Sequence, residues 1–248
     1  MILKIVIIVI IIIILLLILT YVVNEKKQND STMYKFDEIK PYLKTGDIIL
    51  FSCSQHFSPV EKLKYISRTS LVGCKYGHVG LVLKRNNKLY VAECTDYDHP
   101  GYKYATHFND KNKGGVRIIE MEKLLKDYTQ EYKATYAVKF ISQEIPNELF
   151  YKKISKHFHK TFEYKPILLT LAFFDIMISH DVGTKLSEKM YNKNKLMCSE
   201  FAHSVLYDCG ALKYYPSKIF WPHVFEEKTF LELEKIPFSK TYNFAFDN

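Results

Sequence analysis

No C-x-x-C pair occurs in this chain, and its five cysteines form an odd count without regular spacing. The first absence removes a zinc knuckle, which needs such a pair of thiolates. The second removes a disulfide framework. Free thiols suit a reducing compartment, which points the globular part toward the cytosolic side. There is no arginine-rich arm either. The formal charge is +8, from 35 basic and 27 acidic residues, but the lysines are scattered beside Glu, Asp or Asn, as on a solvated surface. Positive charge with an aromatic share of 15% could serve single-stranded nucleic acid. That reading rests on charge alone, so nucleic acid is not expected as a partner. Beyond the first stretch there is no internal repeat and no low-complexity tract.

What the chain has in excess is an apolar opening, MILKIVIIVIIIIILLLILTYVVNEKKQND. Ile5 to Val23 approaches the roughly 20 residues that a helix needs to cross a bilayer. A cleaved signal peptide would have a shorter apolar region and a small-residue cleavage site, and Tyr21-Val22-Val23-Asn24 offers none. The expectation is a single-pass membrane protein: a transmembrane anchor at 1–23, in contact with the membrane through 5–23, a juxtamembrane linker at 24–40 and one domain at 41–248. Lys4 before the run and Lys26 and Lys27 after it nearly balance, so the positive-inside count leaves the orientation open.

From TGDIILFSCS onward the pattern turns to strands. Gly46-Asp47 makes a turn and Ile48 to Ser52 is an apolar run of strand length. PVEKLKYISR (59–68) suits a short helix. GHVGLVLKRNNKLYVAEC reads as two strands around Asn86-Asn87, a hairpin turn because Asn tolerates positive φ. A polar loop at 96–115 precedes two more strands, GVRIIEM and ATYAVKFI, with a helix between them. After Pro146 the character is helical, through NELFYKKISKHFHKTF and the apolar PILLTLAFFDIMI (166–178), which is too short to span a membrane and reads as a core helix or a pocket wall. Strands first and helices later define an α+β domain.

Candidate chemistry begins at NKLMCSEFAHSVLYDCG, a helix opening near Cys198 and closing at Gly210. A helix start is the positive end of the dipole and stabilises a thiolate, whereas its last turn disfavours one. The dipole therefore selects Cys198 as the nucleophile and leaves Cys209 to packing. A nucleophilic thiol also needs a base. Among nine histidines, His78 sits at a strand start with glycines at 77 and 80. If the hairpin turn is centred on Asn86-Asn87, paired residue numbers sum to 173, and Gly80 faces Glu93. His78 and Glu93 then share a face as diagonal neighbours, a carboxylate placed to orient an imidazole. Cys94 points to the other face. Cys53 with His56 is a local pair without a helix dipole; His157 and His159, two apart, cannot share a helical face. His99 stands in a turn before Pro100-Gly101, His203 lies on the nucleophile helix, and His107 and His223 have no distinguishing context.

In order, TGDIILFS, GHVGLVL, LYVAEC and LMCSEF resemble the circularly permuted branch of the NlpC-type, papain-like cysteine hydrolases, in particular the YiiX-like group, with relatives in bacteria and large DNA viruses. That branch places the strand histidine first and the helix cysteine last. The resemblance covers residues 42 to 225 and matches the family's histidine to His78, its acidic member to Glu93 and its nucleophile to Cys198. FEYKP (162–166) and FWPHVF (220–225) match less specific segments. The implied fold is a small antiparallel sheet, partly barrel-like, packed on the helix that bears Cys198 and preceded by the transmembrane helix. The implied activity is a thiol hydrolase, a peptidase or amidase working through a Cys-His-Glu triad, with no metal and no organic cofactor. The related lecithin:retinol acyltransferase-like enzymes act on lipids. Their NCEHF signature is absent here, but the apolar stretches keep a lipid-acyl substrate open beside a peptide or amide. A non-catalytic membrane-anchored binding module is the remaining alternative, because fold does not guarantee activity.

Overall fold

The computed structural model describes residues 32–52, 76–96, 99–105, 114–163, 194–215, 222–226 and 228–247. Its organising unit is the hairpin of β3 (His78–Arg85) and β4 (Lys88–Thr95). Asn86 and Asn87 both take left-handed backbone, φ 50° and 59°, the conformation a two-residue type I′ turn requires. The register runs from Arg85 opposite Lys88 to Gly80 opposite Glu93, as the sum of 173 predicts.

The sheet grows outward from this hairpin. On one side, β5 (Gly115–Glu120) pairs antiparallel with β4. On the other, β2 (Ile48–Ser52) pairs with β3, β6 (Thr135–Lys139) with β2, and β9 (Tyr242–Ala245) with β6. β1 (Met33–Lys35) closes the far edge, parallel to β9. The order is β1-β9-β6-β2-β3-β4-β5.

Alternation along the strands sorts their side chains into two layers. Leu50, Val79, Leu81, Ala92, Cys94 and Ile118 form one face, beneath α3 (Asn147–Ser155), α4 (Cys198–Asp208) and α5 (Lys228–Leu233). Ile49, Phe51, Val82, Val91 and Ile119 form the other, beneath α1 (Phe36–Ile39) and α2 (Met121–Tyr132). A central strand covered on both sides reads as an unbroken apolar run, which is why β2 is IILFS with every residue buried. A separate two-residue pair, β7 (Thr161–Phe162) and β8 (Lys195–Leu196), lies just before α4.

The ends of α4 have local causes. Glu200 reaches back from the first turn to accept the Met197 N–H at 2.8 Å. At the other end Gly210 takes φ +77°, its N–H bonds the Tyr207 carbonyl, and the Ala211 N–H bonds the Leu206 carbonyl. That is a Schellman termination. Phe201, Val205 and Leu206 are fully buried beneath the helix, each contributing about 1.5–3 kcal/mol of apolar burial.

Two expectations are corrected. The sheet is neither small nor wholly antiparallel: it has seven strands in a mixed arrangement, with helices on both faces. The strands that enlarge it, β1 and β9, have three and four residues, too short to carry an alternation signal, and they meet across more than 200 positions of sequence. The sheet thus takes in Met33–Lys35, ahead of residue 41. The single-pass membrane arrangement is the second correction. Among the described residues no helix is long and apolar enough to cross a membrane, and the run at 5–23 lies outside them. The helix expected at 59–68 and the apolar stretch 166–178 also lie outside the described residues.

Candidate active site

His78 is the first residue of β3, Glu93 the antepenultimate residue of β4, and Cys198 the first residue of α4. His78 Nε2 lies 2.6 Å from Glu93 Oε2. The ring reaches that carboxylate diagonally across Gly80, where an added Cβ would come within 2.5 Å of Val91 Cγ1. The Cys198 thiol is near enough to the same imidazole to favour its protonated form. With Nε2 engaged by Glu93, Nδ1 is the nitrogen that remains for sulfur. The three sequence-derived candidates therefore converge. They do so at the end of the sheet, because Cys198 belongs to the layer above one face while the His78 ring packs with Phe51 and Tyr128 of the other.

All three side chains are largely shielded, Glu93 completely, and Arg117 beside them is completely buried too. Arg117 stands directly opposite Glu93 in the β4–β5 ladder. Its Nε and Nη2 donate to Glu93 Oε1 at 2.8 and 2.6 Å, while Nη1 and Nη2 donate to the carbonyls of His99 and Pro100 at 3.2 and 2.7 Å. Burial alone would favour a protonated Glu93, but the charges of Arg117 and then His78, with their hydrogen bonds, hold the carboxyl down at about 2. Burial likewise favours a neutral His78. The Glu93 carboxylate, the nearby Cys198 thiol and the hydrogen bond with Glu93 outweigh it and raise the imidazole to about 9. The pair is held as imidazolium and carboxylate.

His99 stands in its expected turn, with the Tyr102 N–H on its carbonyl at 3.2 Å, but its ring also joins the site. Its ring lies 6.0 Å from that of His78 at an interplanar angle of 29°, and 6.1 Å from Tyr128. Burial, and then the charge of His78, lower it to about 3, so it is a neutral ring. Its Nδ1 is buried without a hydrogen-bond partner among the described residues. Neither His99 nor Arg117 follows from local sequence. The available signal for Arg117 is a cation inside the apolar run GVRIIE, and reading it needs the register between β4 and β5.

The other candidates fall away from the centre. Cys94 is buried on the opposite face, donates to the Leu196 carbonyl at 3.6 Å, and is pushed up by burial. Burial also raises Cys209, to about 11. His157 is buried edge-on against Phe201, and His203 Nε2 pairs with the Lys213 carbonyl at 3.2 Å. The Asp47 carboxylate accepts the N–H groups of Lys44 and Ile141, both at 2.8 Å, which ties the Gly46-Asp47 turn to the end of β6. Cys53, His56 and His107 lie outside the described residues.

Fold and site together define a protein with a mixed seven-stranded sheet, helices on both its faces, and a buried grouping of Cys198, His78 and Glu93 backed by an arginine. No family model matches the chain. It is 48% identical over 249 residues to an uncharacterized protein of Acanthamoeba polyphaga mimivirus, covering 100% of both chains, and it belongs to that protein's family. Among solved structures, the metalloprotein yiiX of Escherichia coli O157:H7 aligns with a TM-score of 0.36 and 15% identity, over 68% of this chain and 67% of that one. A likeness that distant bears on neither the fold nor the site.

Proposed function

We propose that the chain is a thiol hydrolase that cleaves an amide, peptide or acyl-ester bond with Cys198 as nucleophile, His78 as acid and base, and Glu93 as the group that orients His78. The observation that carries this reading is the His78 imidazole, 2.6 Å from the carboxylate of Glu93 and influenced on its other side by the thiol of Cys198 at a helix start. The order of the motifs, histidine first and cysteine last, is that of the permuted NlpC-type hydrolases they resemble.

Charge balance favours the same chemistry. Arg117 and an imidazolium at His78 carry two positive charges into a buried site where Glu93 supplies one negative charge. That positive charge favours negative charge developing on the Cys198 sulfur. In the reaction, the Cys198 sulfur, whose proton His78 already holds as an imidazolium, forms a bond to the carbonyl carbon. The carbonyl oxygen becomes an oxyanion, within reach of the Cys198 backbone N–H, one of the donors that a helix start leaves unpaired. Collapse breaks the C–N or C–O bond, and His78 returns its proton to the departing nitrogen or oxygen. Water, deprotonated by His78, then hydrolyses the thioester and restores the thiol.

The test is covalent labelling of the full-length protein by a panel of electrophilic amide, peptide and acyl-ester probes, with turnover measured for the class that reacts. An adduct on Cys198 is expected. Cys198→Ala should show neither adduct nor turnover, and His78→Ala should lose about 10²–10⁴-fold. Adding His78→Ala to Cys198→Ala should change little, since groups that act as a unit are not additive. Wild-type turnover by a folded Cys198→Ala variant would sink the reading.

A further inference from the structure

Glu93 must do two things to orient His78: remain ionised without solvent, and offer one oxygen in a fixed direction. Neither follows from its own strand. Both follow from Arg117, the residue directly opposite it on β5. Two N–H groups of one guanidinium converge on Oε1, at 2.8 and 2.6 Å, and Oε2 faces His78 at 2.6 Å. Two donors on one rigid guanidinium fix the position of Oε1 as a single point charge could not.

The same guanidinium extends past the carboxylate to the carbonyls of His99 and Pro100. These begin the 99–105 segment, which turns at Gly101 (φ +81°) and is held to α2 by the Gly101 N–H on Asp127 Oδ2 at 3.1 Å. An added Cβ at Gly101 would meet Leu124 Cδ1 at 2.8 Å, so the segment sits close on the helix. The His99 ring is thereby laid beside that of His78. One cation sets both the acceptor for the imidazole and the wall along its side.

We propose that Arg117 is a positioning residue of this site, saturating Oε1 of Glu93 so that Oε2 is presented to His78, and fixing the His99-Pro100 backbone that seats a ring against the same imidazole. The proposal rests on the reading of Glu93 as the orienting group, and its test needs no turnover. The full-length protein is labelled with ¹³C at glutamate carboxyls, and the Glu93 resonance is identified by its loss in Glu93→Asp. Its titration is then followed in wild type, Arg117→Gln and Arg117→Lys, with near-UV circular dichroism as the folding control. In wild type Glu93 should not titrate above about pH 4. In Arg117→Gln its midpoint should rise by about one to three pH units. Arg117→Lys should fall between them, because an ammonium keeps the charge but loses the fork. The rate of Cys198 alkylation by iodoacetamide should fall in the same order. A Glu93 midpoint in folded Arg117→Gln equal to that of wild type overturns the proposal. Should Arg117→Gln not fold, an Arg117→Lys variant that titrates and alkylates as wild type overturns it alone. Failure of every hydrolysis probe would count against the hydrolase reading and leave this titration unchanged.

Discussion

Gly80 and Glu93 are direct partners in the β3–β4 ladder, and His78, two residues before Gly80 on the same face, reaches Glu93 diagonally, Nε2 to Oε2 at 2.6 Å. A methyl on Gly80 would meet Val91 Cγ1 at 2.5 Å. Gly80→Ala should therefore destabilise by about 1–3 kcal/mol through overpacking. Urea unfolding measures the cost. Cys198 alkylation should slow as well, if the displaced Val91 pushes on the imidazole; an unchanged midpoint would mean that the sheet relaxes freely at this point.

Glu93→Gln tests more than orientation. Glu93 and Arg117 are both completely buried, so the substitution leaves a buried guanidinium without its counter-charge. Breaking such a pair costs about 3–5 kcal/mol. For a domain of this size the melting temperature should fall on the order of 10 °C. Adding Arg117→Gln should recover part of that loss, because the unpaired charge leaves with it. Strictly additive losses in calorimetry would show that the two residues are stabilised independently.

Stability should be bounded on both sides of neutral pH. His78 is raised from its unfolded 6.5 to about 9, so its contribution is full below 6.5 and is lost as pH rises through 9. Glu93 is lowered from 4.5 to about 2, so its contribution is full above 4.5 and is lost as pH falls through 2. His157 adds to the acid side. Burial, followed by the charge of Lys160, lowers it from 6.5 to about 4, so protonation favours the unfolded chain as pH falls through that interval. Urea midpoints from pH 4 to 10 should trace a plateau near neutrality. His78→Ala should shrink the loss of stability between pH 6.5 and 9, while the raised Asp47 carboxyl and Cys209 thiol keep their own share of the alkaline limb; a loss of unchanged size over that interval would contradict the assignment.

The described thiols should differ in reactivity. Burial pushes Cys94 and Cys209 up, Cys209 to about 11, and neither has a cationic imidazole beside it. Cys198 has His78. Iodoacetamide at neutral pH, mapped by mass spectrometry, should modify Cys198 first, Cys209 slowly and Cys94 only on unfolding. Early modification of Cys94 would contradict the packing described for it.

How much of this was legible beforehand depended on the distance over which each feature is determined. The β3–β4 register is set by two asparagines between its strands, and α4 by Glu200 and Gly210 at its ends. Such local devices can be read directly, and they placed His78, Glu93 and the helix that carries Cys198. The partnership of Glu93 with Arg117 spans 24 positions, including a polar segment with no periodicity to fix a register. His99 resembles an ordinary turn residue until Arg117 holds its carbonyl. The closure of β1 on β9 and β6 lies beyond any local pattern, and that is where the small antiparallel sheet proved too small.

That closure also constrains the order in which the molecule can be made. β9 lies between β6 and β1 in the sheet, yet among the described strands it is the last to be synthesised. Phe244 stacks on Tyr136, and Phe36 lies against both Phe244 and Phe246. Until residue 245 has left the ribosome, β6 has an open edge and β1 has no strand to join. A chain growing at roughly 5–20 residues per second must keep that edge unpaired while everything upstream collapses. Of the described strands the first to emerge waits for the last, so a chain cut short before Tyr242 would have a complete hairpin and a far edge still open.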